Sequence, residues 1–264
     1  MRQWNKLPYA VLDQPEVVRS LFHPRVEPGF RQTRTNREDI LIPVDKGVQL
    51  AASFHLARTD APVILFFHGN GEIVSDYDDV GCLYNDMGIN LFVVDYRGYG
   101  RSTGIPSVTS MMADCHILFD FVRAYRSNRE LTGPLCVMGR SLGSASAIEL
   151  CATRANDFNC LIIESGFAWA APLLQKLGIN PHCIGFKENQ GFENIDKIKT
   201  FSNPCLVIHA QFDHIIPFSD GQALFDACAS RNKILLEVKG ANHNDIFFKG
   251  RDQYLEQIKQ ICLQ

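Results

Sequence analysis

No apolar run in this sequence approaches the roughly 18 residues that a membrane helix needs. The stretch behind Arg2 and Lys6 has no apolar centre, and Asp13, Glu16 and Arg19 interrupt it, so no signal peptide is expected. Arg2 stands where myristoylation requires glycine, and Ile261 stands where prenylation requires cysteine, with Cys262 one place late. No stable membrane anchor is therefore expected. No CxxC pair occurs among the nine cysteines, and their number is odd, which argues against a disulfide framework or a zinc site. Several, such as Cys136 and Cys205, lie inside apolar runs and read as buried free thiols. That usage points to a reducing, cytoplasmic setting. Acidic and basic residues are interleaved, with a formal net charge of -3, so nothing marks a nucleic-acid-binding face. There is no fixed-period repeat, no low-complexity segment and no signal of oligomeric state.

What the sequence does contain is an ordinary globular composition, 46% hydrophobic and 21% charged over 264 residues, enough to bury a large core without staples. Short apolar runs alternate with longer helical patterns. Strands are expected at Asp39–Val44, Gln49–Ala57, Val63–Phe67, Asn90–Asp95, Leu135–Gly139, Cys160–Glu164, Cys205–Ala210 and Ile234–Val238. The later ones are continuous β-branched and leucine runs, the pattern of strands covered on both faces of a parallel sheet. Helices are expected near Tyr77–Met87, Ser110–Tyr125, Leu142–Arg154, Phe167–Lys176, Gly221–Ala229 and Asp245–Leu263. The alternation predicts an α/β fold with a doubly wound, mostly parallel, eight-stranded sheet. The turn residues Asp45-Lys46-Gly47 suggest that the first two strands pair antiparallel. Pro8, Pro15, Pro24 and Pro28 break any long helix in residues 1–37, which read as an extension packing on a domain of residues 38–264. Residues 167–203 form one excursion, with a helix-like stretch and a loop carrying Asn189, Gly191 and Asn194, too short for a large cap domain.

The strongest chemical signal is Gly139-Arg140-Ser141-Leu142-Gly143, a G-x-S-x-G match. An apolar strand runs directly into it, and a helix rich in Ser and Ala runs directly out. Such a turn projects a serine hydroxyl above the sheet edge, and its glycines leave room where side chains would clash. Two further motifs accompany it. Phe67-His68-Gly69-Asn70-Gly71 follows the third strand, and Asp95-Tyr96-Arg97-Gly98-Tyr99-Gly100-Arg101-Ser102 follows the fourth.

Over about residues 39 to 263, the chain resembles an α/β-hydrolase. Within that superfamily it is similar to the cap-less serine hydrolases that include acyl-protein thioesterase-like (depalmitoylase) and serine aminopeptidase-type members. The resemblance implies a serine hydrolase with Ser141 as nucleophile. A serine hydroxyl needs a base, and in this fold the order is serine, acid, histidine. Of eight histidines, His243 sits at a glycine-bearing turn after the last strand, where the family places its base. His116 and His209 lie in apolar patterns and read as core histidines, and His68 belongs to the loop after the third strand. Asp213 follows the seventh strand, in a segment closed by Ile216-Pro217, with Ala210 where the family usually has glycine. Glu164, at the end of the sixth strand, is the alternative acid. Asp245 reads as a helix N-terminal residue.

Backbone N–H groups that hold the developing oxyanion are expected from Leu142, the residue after the nucleophile, and, by resemblance, from Asn70. Arg97 and Arg101 read as braces paired with nearby carboxylates. Glu72 reads either as a pocket carboxylate that disfavours anionic substrates or as a solvated loop residue. Together these features predict hydrolysis of a carboxylic ester or thioester on a small-molecule or acylated substrate, with no cofactor and no metal. A peptidase or other acyl-transfer enzyme on the same triad, and a non-catalytic binding protein retaining the fold, are the alternatives.

Overall fold

The apolar runs become the centre of one sheet. A computed structural model describes residues 9–27 and 36–264. Its strands are β1 Arg37–Asp45, β2 Val48–His55, β3 Val63–Phe67, β4 Asn90–Val94, β5 Leu135–Arg140, β6 Cys160–Glu164, β7 Cys205–Ala210 and β8 Lys233–Val238. They lie in the order β1-β2-β4-β3-β5-β6-β7-β8. β2 is antiparallel to both β1 and β4, and the remaining pairs are parallel. Gly47, at φ 73°, makes the reversal between β1 and β2 that Asp45-Lys46-Gly47 predicted. β3, β4, β6 and β7 are buried along their whole length, as helices on both faces require.

The helices are α1 Pro15–Leu21, α2 Asp78–Asp86, α3 Val108–Asn128, α4 Gly143–Arg154, α5 Ala170–Lys176, α6 Asn194–Ile198, α7 Phe218–Ala227 and α8 Ile246–Cys262. Side chains alternate across the sheet, so successive residues of one strand enter different cores. Val63, Leu65 and Phe67 of β3 meet Met111 and Phe119 of α3, Leu150 of α4 and Leu224 of α7 in one core. Ile64 and Phe66 join Tyr84 of α2 and Ile258 and Ile261 of α8 in the other. This is a doubly wound α/β sheet with no large cap among the described residues.

Two short helices depart from the expected pattern. No long helix forms in the described part of the extension, but Pro15 opens the seven-residue α1 at its first turn, where its missing N–H costs no hydrogen bond. From the described part of the extension, Tyr9, Leu12, Val17, Leu21 and Phe22 enter the first core. The readings made of Arg2, Lys6, Pro8 and Pro28 fall outside the described residues. In the excursion, Asn194 is not a loop residue but the first residue of α6, and its Nδ2 donates to the Phe167 carbonyl at 2.9 Å. Glu188 accepts the Ala170 and Ala171 N–H groups at 2.6 and 3.0 Å, satisfying two orphan donors at the start of α5.

The carboxyl ends of β3, β5, β6, β7 and β8 lie along one edge of the sheet. In open parallel sheets that edge is where ligand-binding loops gather.

Candidate active site

Ser141 follows β5 at φ 51°, a left-handed conformation that a non-glycine residue holds only under constraint. The constraint is local. Its N–H donates to the Glu164 carbonyl at 2.8 Å, and its own carbonyl accepts the Ser144 N–H at 3.0 Å. A Cβ on Gly139 would overlap the Gly143 carbonyl, and a Cβ on Gly143 would overlap the Phe67 carbonyl. Both glycines of the motif are therefore steric requirements of the turn. Gly143, Ser144, Ala145, Ser146 and Ala147 are all buried, so α4 packs close against the strands.

Three residues far apart in sequence form a hydrogen-bonded chain. His243 Nε2 lies 3.1 Å from Ser141 Oγ, and His243 Nδ1 lies 2.7 Å from Asp213 Oδ2. The other oxygen of Asp213 accepts the N–H groups of Ile215 at 3.0 Å and Ile216 at 2.8 Å. Burial alone would raise the Asp213 carboxyl, but the His243 hydrogen bond and charge, with those two N–H groups, outweigh it and hold it below the usual aspartate range. His209 is buried next to this acid, with Nε2 2.9 Å from the Ile216 carbonyl. Burial lowers its pKa, so it is neutral there.

Glu164, the alternative acid, is turned away from the histidine. Its side chain accepts from Arg140 Nε at 3.1 Å and from Tyr254 Oη at 2.7 Å. Asp245 stands at the N-cap position of α8, but its carboxylate holds the N–H and Nδ2 of Asn242 instead of the helix N–H groups.

Asn70 and Leu142 line the same cavity of about 350 Å³ as Ser141 and His243. Leu142 stands at the N-cap of α4, among the N–H groups that have no partner inside the helix. The loop bearing Asn70 is held from beneath. His68 Nε2 lies 3.1 Å from Asp95 Oδ1, and Tyr96 Oη donates to the His68 carbonyl at 2.6 Å. The Asp95–Ser102 segment thus supports the Asn70 loop. Arg97 forks onto Asp114 at 2.7 and 2.8 Å, and Arg101 pairs with Glu27 at 2.9 Å.

Glu72 is neither a free pocket charge nor a solvated loop residue. It accepts the Gly69 N–H at 2.7 Å and the Tyr77 hydroxyl at 2.6 Å, and pairs with Arg140. Burial would raise its carboxyl, but Arg140 and Tyr77 hold it below the ordinary glutamate value. Arg140 itself, the variable position after Gly139 in the G-x-S-x-G motif, carried no signal of this role in its spacing. The apolar wall of the cavity, from Leu21, Leu173, Leu177 and Ile215, was likewise not legible as a set, because α1, α5 and the loop after β7 supply it together.

Among the described residues, one group of three potential metal ligands occurs, the buried thiols Cys136, Cys160 and Cys262. Cys136 and Cys160 are register partners at the amino ends of β5 and β6, the edge opposite Ser141. All nine cysteines are free.

The sheet order, the strained serine turn and the loops gathered above it define a class. The chain belongs to the α/β-hydrolase superfamily. Residues 59–182 match the serine aminopeptidase S33 family. The chain is 33% identical over 234 residues to alpha/beta hydrolase domain-containing protein 17B of Homo sapiens, covering 86% of this chain and 75% of that one. Its identity to the 17B protein of Xenopus laevis is 35% over the same length and with the same coverage. Among solved structures, it is similar to an esterase of Pyrococcus furiosus (TM-score 0.68, 16% identity, 90% of this chain and 98% of that one). It is also similar to a monoacylglycerol lipase of Paleococcus ferrophilus (TM-score 0.60, 19% identity, 81% and 97%). No helix among the described residues is long and apolar enough to cross a membrane.

Proposed function

We propose that this hydrolase cleaves a carboxylic ester or thioester through an acyl-enzyme formed on Ser141. The observation that carries the reading is the unbroken chain from Ser141 Oγ through His243 to Asp213, at 3.1 and 2.7 Å. In this reading Ser141 Oγ attacks the acyl carbonyl as His243 Nε2 takes its proton. Asp213 fixes the tautomer of His243 and stabilises the imidazolium. The N–H groups of Asn70 and Leu142 hold the oxyanion. His243 then returns the proton to the leaving alcohol or thiol, and water completes the cycle by attacking the acyl-enzyme with His243 as base. The apolar wall of Leu21, Leu173, Leu177 and Ile215 favours an uncharged acyl group. The two full charges in that cavity, Glu72 and Arg140, are paired with each other. Arg140 therefore offers no free cation to an anionic substrate. Seven buried free thiols support a reducing cytoplasm as the setting.

The test is labelling by a fluorophosphonate probe, followed by a series of p-nitrophenyl esters and matched thioesters. Wild type should label and turn over. Ser141→Ala should do neither, and Asp213→Asn should lose about 10⁴-fold in kcat. Folded wild type that neither labels nor turns over would overturn the proposal, as would labelling that survives in Ser141→Ala.

A further inference from the structure

A guanidinium lies beneath the proposed site at the meeting point of three loops. Arg140 pairs with Glu72, approaches Glu164 Oε1 with Nε at 3.1 Å, and donates from its remaining nitrogen to the His243 carbonyl at 2.9 Å. The far sides of the two carboxylates are also held, Glu72 by Tyr77 at 2.6 Å and Glu164 by Tyr254 at 2.7 Å. Burial opposes the charge of Arg140, but the two carboxylates more than compensate, so the guanidinium stays charged. The surroundings are built for it, because a Cβ on Gly69 would run into its Nη1.

Each arm of this network ends within one residue of a group that the mechanism uses. Glu72 accepts the N–H of Gly69, the residue before Asn70. Glu164 accepts the N–H of Ser141 itself through its main-chain carbonyl. The third arm ends on the carbonyl of His243. Resting on the reading of Ser141 as nucleophile, we propose that Arg140 is a positioning residue that locks the oxyanion loop, the nucleophile turn and the base loop into one register. Its planar fork is what the task needs. Three directed contacts from one rigid group fix three segments relative to one another, which the single point charge of a lysine does not do. Displacing reacting groups by about 1 Å costs on the order of 10²-fold in rate.

Kinetic analysis of three variants tests this. Arg140→Gln alone leaves Glu72 and Glu164 buried without their cation, so the double variant Arg140→Gln/Glu72→Gln is made beside it to relieve that strain. Arg140→Lys keeps the charge and loses the fork. Arg154→Gln is the control, since it removes another partly buried arginine pair, with Asp120, at the end of α4 far from Ser141. In every folded Arg140 variant, including the lysine, kcat and the rate of fluorophosphonate labelling should fall about 100-fold, with KM changed by no more than about threefold. Arg154→Gln should lower the melting temperature and leave kcat unchanged. Wild-type kcat in the folded double variant, full recovery by Arg140→Lys, or a loss confined to KM would overturn the proposal. A wild-type protein unlabelled at Ser141 would instead sink the functional reading beneath it.

Discussion

Tyr99 Oη donates a 2.6 Å hydrogen bond to Asn70 Oδ1, the oxygen that also accepts the His23 N–H at 2.8 Å. Asn70 Nδ2 lies 2.7 Å from His23 Nδ1, so both ends of this side chain are held by the scaffold. Burial pushes the Tyr99 hydroxyl up, which keeps it a donor across the working pH range.

Tyr99→Phe removes that donor and leaves the ring. One neutral hydrogen bond contributes about 1 kcal/mol to stability, so the fold should survive with a slightly lower melting temperature. If Asn70 carries an oxyanion donor, loosening it should lower kcat by about tenfold at nearly unchanged KM. Steady-state kinetics on one ester decides the matter, and an unchanged kcat would show that the loop holds Asn70 without Tyr99.

Gly143 closes the Ser141 turn against β3. An alanine there would drive its Cβ into the carbonyls of Phe67 and His68, which are backbone and do not rotate away. Gly143→Ala should therefore cost more than about 2 kcal/mol, or displace the Asn70 loop that begins at His68. Urea denaturation and labelling rate on the same sample separate the two. A variant with wild-type stability and wild-type labelling would contradict the steric account.

Much of this arrangement was legible because it rests on short-range rules. The continuous runs Val63–Phe67 and Cys205–Ala210 could be little other than strands covered on both faces, and they are. The glycines at 139 and 143 announced a turn that their close contacts require. What stayed hidden depends on distant partners. Nothing around Arg140 says that Glu72, Glu164 and the His243 carbonyl will surround it. Nor does the sequence near His23 announce its contact with Asn70, 47 positions away. α1 was missed because a seven-residue helix carries little periodicity, and α6 because five residues carry less.

Leu173 stands on the wall of the candidate site and also lines a neighbouring cavity of about 390 Å³ with Phe167, Pro172 and Ile216. Its size should therefore set how far an acyl chain extends from Ser141. Each methylene that finds an apolar place is worth about 0.8 kcal/mol, or roughly fourfold in kcat/KM. Leu173→Ala should shift the best p-nitrophenyl ester towards longer chains, and Leu173→Phe towards shorter ones. Identical chain-length profiles in both variants would mean that the acyl group lies elsewhere.

Glu149 joins three helices. Its carboxylate lies 3.1 Å from His116 Nε2 on α3 and 2.7 Å from Lys197 Nζ on α6, while the residue itself belongs to α4. Burial would raise its carboxyl, but the His116 hydrogen bond and the Lys197 charge outweigh burial and hold it below the ordinary glutamate value. A carboxyl depressed in the folded state stabilises that state above its unfolded pKa of about 4.3, and the contribution disappears as pH falls through the lower folded value. Glu149→Gln leaves Lys197 without its buried carboxylate and should cost about 3 kcal/mol at pH 7. The gap between the two proteins should narrow only below the ordinary glutamate range, as acid protonates Glu149 in the wild type. Chemical denaturation of both proteins from pH 7 down to the acid transition measures this directly. A gap that stayed constant through that range would show that the loss at pH 7 comes from packing, not from the charge on Glu149.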